Sequence, residues 1–116
     1  MKKIDIPSFK ESTVDKNVIF YQINLYKRGS RKWILEKRFS EFDSMHKSLY
    51  KIFGKILPSL PSKTLFRPKI QEDLDQRRVD LEKYLREIIV RQEIFNSEPV
   101  RKFLQVDFLL YSSYFI

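Results

Sequence analysis

"VIFYQINLYKRGSRKWILEKRFSEF", residues Val18 to Phe42, changes its period partway along, and that change decides the fold class. From Val18 to Tyr26 the residues alternate. Ile19, Tyr21, Ile23 and Leu25 fall on one face and Gln22 and Asn24 on the other, as in a strand with one side buried. The Gly29-Ser30 turn in "KRGSRK" reverses the chain and the β-branched and aromatic run "WILEKRF" returns, so residues 18 to 39 read as a hairpin. At Ser40 the spacing lengthens. Ser40 and Asp43 make an S-x-x-D helix start, and Phe42, Met45, Leu49, Ile52 and Phe53 then recur at helical intervals until Gly54 ends the run.

Toward the N-terminus, "IDIPSFKESTV" supplies a third strand, with Pro7 at an edge or a bend. Toward the C-terminus, Leu74, Leu81, Leu85 and Ile88 mark a long amphipathic helix, and Pro68 stands before it. Ser97-Glu98-Pro99 opens a further helix, with a capping residue and proline in the first turn. The expected layout is one domain over residues 1–116: strands within about 4–39, helices at about 41–53, 71–93 and 98–104, and a tail at 105–116 left unassigned. Strands first and helices after predict an α+β fold. A small three-stranded antiparallel sheet packs against a helical subdomain, with a proline-rich loop between the first two main helices.

The chain has 116 residues, 42% hydrophobic and 33% charged in mixed sign, which is the composition of a folded domain rather than a disordered one. Without cysteine it has no disulfide, thiolate nucleophile or thiolate-bound zinc. The start "MKKIDIPSFKE" lacks the apolar run of a signal peptide, and no stretch approaches the ~20 apolar residues of a membrane span. No export or crossing is expected. A net charge of +8 points to a polyanionic partner: nucleic acid, an anionic lipid surface or an acidic protein.

Catalysis has little to build on. The two glycines, Gly29 and Gly54, are far apart and make no phosphate-cradling loop. The single histidine, His46, borders the apolar face of its helix and reads as a packed or surface side chain. Glu72, Asp73 and Asp75 suit the positive end of the long helix, and no metal spacing stands out, so no enzyme, cofactor or metal is expected. The basic residues carry more. Arg38 sits where strand meets helix, close to an anion-favouring helix N-terminus, and Phe39 beside it is either a surface for a ligand ring or a core residue. Arg77 and Arg78 both flank the apolar stripe of the long helix, and periodicity does not separate them. Residues Leu57 to Lys69, "LPSLPSKTLFRPK", place Leu65 and Phe66 between charges in a proline-punctuated loop. That tract suits either a polyproline ligand or a membrane-facing loop.

"KRFSEF" at a strand-helix junction, "LPSLPSK" and "QRRVDLEKYL", in this order over nearly the whole chain, resemble the PX (phox homology) domain family of phosphoinositide-binding modules. The resemblance implies a pocket for phosphatidylinositol 3-phosphate. In it Arg38 grips the 3-phosphate, Phe39 packs against the inositol ring, Lys63 meets the 1-phosphate, and Arg77 hydrogen-bonds the 4- and 5-hydroxyls. Arg77 stands four residues before Leu81 and seven before Tyr84, as the family arginine does, which leaves Arg78 without a role. Phenylalanine replaces the commoner tyrosine at position 39, and leucine stands at 57 where many members have proline. Leu65 and Phe66 would enter the bilayer interface while Arg67 and Lys69 meet anionic lipid. The expected setting is the cytosolic face of endosomal-type membranes. Two rivals remain: a protein-interaction module using Pro58 and Pro61 as an SH3 ligand, and a basic nucleic-acid binder, for which no zinc-finger, RNP-type or helix-turn-helix signature is present.

Overall fold

The structure, a computed structural model, describes residues 3–15, 17–26, 32–61 and 71–106, with the side chains of residues 71 and 72 excepted. Strands β1 (Ile4–Glu11), β2 (Ile19–Tyr26) and β3 (Lys32–Lys37) form an antiparallel sheet in the order β1-β2-β3. The helices are α1 (Phe39–Phe53), α2 (Gln71–Ile89), α3 (Gln92–Phe95) and α4 (Glu98–Leu104), with a 3-10 turn at Gly54–Ile56. The expected α+β architecture is what the chain adopts. The hairpin register pairs Tyr21 with Lys37 and Leu25 with Trp33, and the Gly29-Ser30 turn lies outside the described residues.

Alternation in β2 turns Tyr21, Ile23 and Leu25 into one core, where Phe42, Met45 and Leu49 of α1, Leu81, Leu85 and Ile88 of α2 and Phe103 and Leu104 of α4 meet them. Gly54 ends α1 at φ 61° with its N–H donating to the Tyr50 carbonyl, a backbone conformation that strains any residue with a Cβ. Among the described residues no helix is long and apolar enough to cross a membrane.

Two expectations about helix ends are corrected, and at a third the position holds while the side chain acts differently. Helix α1 begins at Phe39, not Glu41, and its box is framed by Arg38: the Arg38 N–H donates to Glu41 Oε1 at 3.0 Å while the Glu41 N–H donates to the Arg38 carbonyl at 3.0 Å. The strand ends at Lys37 and Arg38 is still extended, so the acid three residues on is Glu41, and Asp43 pairs with Lys47 instead at 3.0 Å. Ser97 is the N-cap position of α4 with Pro99 in the first turn, as expected, but its hydroxyl donates backward to the Ile94 carbonyl at 2.6 Å and does not cap the helix. The long helix does not reach residue 93. It stops at Ile89, Arg91 is extended, and α3 starts anew. Ile88-Ile89-Val90 is a β-branched run that weakens the helix, and the change of direction brings Ile94 and Phe95 to complete burial.

Where Pro7 breaks the ladder, β1 bulges between Asp5 and Ser8, and α2 closes the exposed edge. Arg78, Glu82 and Arg86, four residues apart on one helix face, reach it in turn. Arg78 donates to the Ile6 carbonyl at 2.8 Å, Glu82 accepts from the Ile6 N–H at 2.8 Å, and Arg86 donates to the Ile4 carbonyl at 3.1 Å. Glu82 also pairs with Arg86 at 3.3 Å. Glu82→Ala is therefore expected to lower stability by about 1–3 kcal/mol in urea unfolding, because it strips a partly buried N–H of its acceptor. The exposed neighbour change Lys83→Ala should stay within about 0.5 kcal/mol. Equal effects would mean that water takes over the carboxylate's place.

Candidate functional site

Arg38 owes its position to the sheet and helix on either side of it. Lys37, the last residue of β3, turns inward to 8% exposure, its ammonium 5.3 Å from the Phe103 ring centroid and 3.5 Å from Glu41 Oε2. The next residue therefore faces out, and Arg38 is exposed at the N-terminus of a 15-residue helix. Its backbone is tied by Glu41, whereas among the described residues no carboxylate pairs with its guanidinium. A planar fork of donors at the positive end of a helix dipole is well suited to a phosphate.

Phe39 opens α1 half-buried against the core. Over its ring stands Arg77, with Cζ 4.2 Å from the centroid, a cation-π stack between the start of α1 and the first half of α2. The charge of the same guanidinium also acts on the hydroxyl of Tyr21 on β2. Burial raises the Tyr21 pKa above its ordinary value, and the charge of Arg77 opposes that rise. Two helices thus meet at one spot, with Arg38 next to Phe39 in the chain.

Of the residues singled out from sequence, the structure brings Arg38, Phe39 and Arg77 together and turns Arg78 elsewhere, to the β1 edge and to Asp75 at 3.6 Å. Arg78 is a structural clamp. Lys63, Leu65, Phe66, Arg67 and Lys69 lie outside the described residues. The approach to their loop is described: Leu57 and Leu60 pack against the core, and Pro58 and Pro61 are half-buried. Tyr21 was legible as an inward residue of β2 but not as a neighbour of Arg77, since no local pattern relates β2 to α2.

His46 is a helix-helix contact. Its Nδ1 lies 2.8 Å from the hydroxyl of Tyr84, which burial pushes well above its ordinary range. Burial lowers the histidine pKa, and the charge of Asp43 opposes this. A neutral imidazole paired with a buried phenol holds α1 to α2. Among the described residues no group of histidine and carboxylate side chains is arranged to hold a metal.

The PX domain family model matches residues 25–107. Sorting nexin-24 of Homo sapiens is 38% identical over 93 residues, covering 78% of this chain and 53% of that protein. The serine/threonine-protein kinase Sgk3 of Rattus norvegicus is 30% identical over 105 residues, 90% of this chain but 21% of the kinase. The chain thus spans about half of one relative and about a fifth of the other. Among solved structures, a designed CISK-PX domain superposes with a TM-score of 0.79 at 30% identity, covering 91% of this chain and 100% of that one. The mouse SNX19 PX domain, solved with a bound sulphate ion, gives 0.67 at 17% identity, covering 91% and 97%, and shares the fold.

Proposed function

The chain belongs to the PX domain family of phosphoinositide-binding, membrane-targeting modules, and from that premise we propose that its lipid is phosphatidylinositol 3-phosphate. The observation that carries this reading is Arg38: exposed, without a carboxylate partner among the described residues, and one residue from the Phe39-Arg77 stack. Arg38 takes the 3-phosphate, a monoester that suits the two-pronged guanidinium. Phe39 offers its ring to the inositol, Arg77 reaches the 4- and 5-hydroxyls, and Lys63 supplies a point charge to the 1-phosphate. Binding is recognition without turnover. It would bring the domain, and whatever is joined to it, to the cytosolic face of endosomal-type membranes, with the charge of +8 adding attraction to anionic lipid.

The SH3-ligand reading is weaker, because a polyproline ligand presents its prolines to the partner, whereas Pro58 and Pro61 are half-buried and flanked by leucines packed on the core. Co-sedimentation with vesicles carrying phosphatidylinositol, its 3-phosphate, its 4-phosphate or its 4,5-bisphosphate, set beside a DNA titration, tests the proposal. Selective retention on the 3-phosphate is expected. Equal retention on every anionic vesicle, or tighter binding to DNA, would overturn it.

Arg77 and Arg78 give a paired prediction. Arg77→Ala should weaken headgroup binding about 10-fold or more, since it removes charge-assisted bonds, with little change in melting temperature. Arg78→Ala should do the reverse, lowering stability by about 1–3 kcal/mol through the unpaired Ile6 carbonyl while affinity stays within about threefold. Calorimetry and thermal melts of both variants separate the two roles, and the opposite assignment of effects would exchange them.

A further inference from the structure

The outer face of α2 carries two exposed valines, Val79 at 45% and, just past the helix end, Val90 at 61%. Between them stand Glu82, Lys83, Arg86 and Glu87, and the six side chains line one groove. Counted outward from the Tyr84-Leu85 bond, the groove has the same chemistry in both directions: Lys83 and Arg86, then Glu82 and Glu87, then Val79 and Val90. A patch that matches its own reverse is what a two-fold axis requires, because such a contact sets the patch against a second copy of itself. Two of these helices, antiparallel and centred on Tyr84-Leu85, put Val79 opposite Val90 of the second copy. At about 100° per residue, Lys83 and Glu87 lie on one flank of the stripe and Glu82 and Arg86 on the other. The two-fold joins like flanks. Lys83 therefore comes beside Glu87 of the second copy, about 1.5 Å apart along the axis, and Arg86 beside its Glu82 at the same offset. A parallel pairing would instead set each charge against itself. Lys83 and Glu87 are both exposed, and among the described residues neither has a salt-bridge partner in its own chain.

We propose that this face of α2 is a docking surface for a second copy of the chain, seated antiparallel about a two-fold axis beside Tyr84 and Leu85. The charge of +8 on each chain opposes any general approach of two copies, so the attraction is local to the patch. One helix pair covers less than the ~1,200 Å² of a stable complex, so the association is weak, with a dissociation constant of about 0.1–1 mM.

Sedimentation equilibrium at up to millimolar chain concentration tests this. The mean mass of the wild type should rise toward that of two chains. Lys83→Glu and Glu87→Lys each create two like-charge contacts, and each alone should weaken association about 10-fold or more, with an unchanged melting temperature. Lys83→Glu also lowers the net positive charge, which favours non-specific association, so a loss there reports the pairing itself. An equimolar mixture of the two variants restores both contacts and should associate nearly as the wild type does, a rescue that damaged folding could not give. Val90→Lys, beyond the helix end, should also weaken association by removing the apolar contact. A wild type that stays monomeric at millimolar concentration overturns the proposal. So does association that any of the three changes leaves intact, or that the mixture fails to restore, since the contact would then lie on another surface.

Discussion

Replacing Arg38 with alanine is expected to abolish specific binding to phosphatidylinositol 3-phosphate while the domain stays folded. The fold survives because Arg38 serves α1 through its backbone alone: its N–H donates to Glu41 Oε1 and its carbonyl accepts from the Glu41 N–H, bonds that alanine makes equally well. Binding fails because, in the proposed pocket, the side chain is the bidentate partner of the phosphomonoester. Removing a charge-assisted contact that the ligand desolvates costs about 2–5 kcal/mol. That is a loss from about 30-fold to more than about 1,000-fold. Arg38→Lys should fall between, since it keeps the charge and loses the planar fork. Calorimetry with the soluble headgroup, run beside a thermal melt, decides the matter. A folded Arg38→Ala variant that binds like the wild type would leave the proposed pocket without its central contact.

The hairpin and α1 were legible because each is a local, one-dimensional pattern: period two over Val18 to Tyr26, then helical spacing from Phe42 to Phe53. The end of α2 was not. Ile88, Ile89, Ile94 and Phe95 keep delivering apolar side chains after the chain has turned, and apolar spacing alone cannot distinguish a helix that continues from one that restarts at a new angle. At α1 the S-x-x-D signal matched the letters but not the frame, because the true start depends on where the strand lets go, and Lys37 is held inside by Phe103 of α4. The same limit applies to the site. Arg38 and Phe39 sit at a junction visible in the sequence. Arg77 and Arg78 flank the helix stripe on opposite sides, and what separates them is tertiary: Phe39 waits on one side and the bulged edge of β1 on the other. Family spacing pointed to Arg77 where periodicity could not.

Changing Leu65 and Phe66 together to serine is expected to detach the domain from vesicles while leaving its affinity for inositol 1,3-bisphosphate nearly unchanged. Both residues lie outside the described segments, so the expectation rests on the anchoring of the loop's first part and on the chemistry of the loop itself. Leu57 and Leu60 pack into the core and carry the chain to Pro61. Beyond it, "SKTLFRPK" sets two large apolar side chains among Lys63, Arg67 and Lys69, a composition that suits a bilayer interface, with the apolar groups entering and the cations remaining at the phosphates. Full burial of such side chains contributes about 1.5–3 kcal/mol each and partial insertion a fraction of that, while each basic residue near an anionic surface adds about 1 kcal/mol. Loss of the apolar pair should therefore leave a residual attachment that is electrostatic, and salt should weaken it further through screening. If the two residues instead cover the core, the double variant will melt lower and lose headgroup and vesicle binding equally. If the loop is an SH3 ligand, vesicle binding will survive the double change, and Pro58→Ala with Pro61→Ala will abolish a protein contact instead. Only the insertion reading predicts loss on vesicles with the soluble headgroup still bound and the melting temperature unchanged.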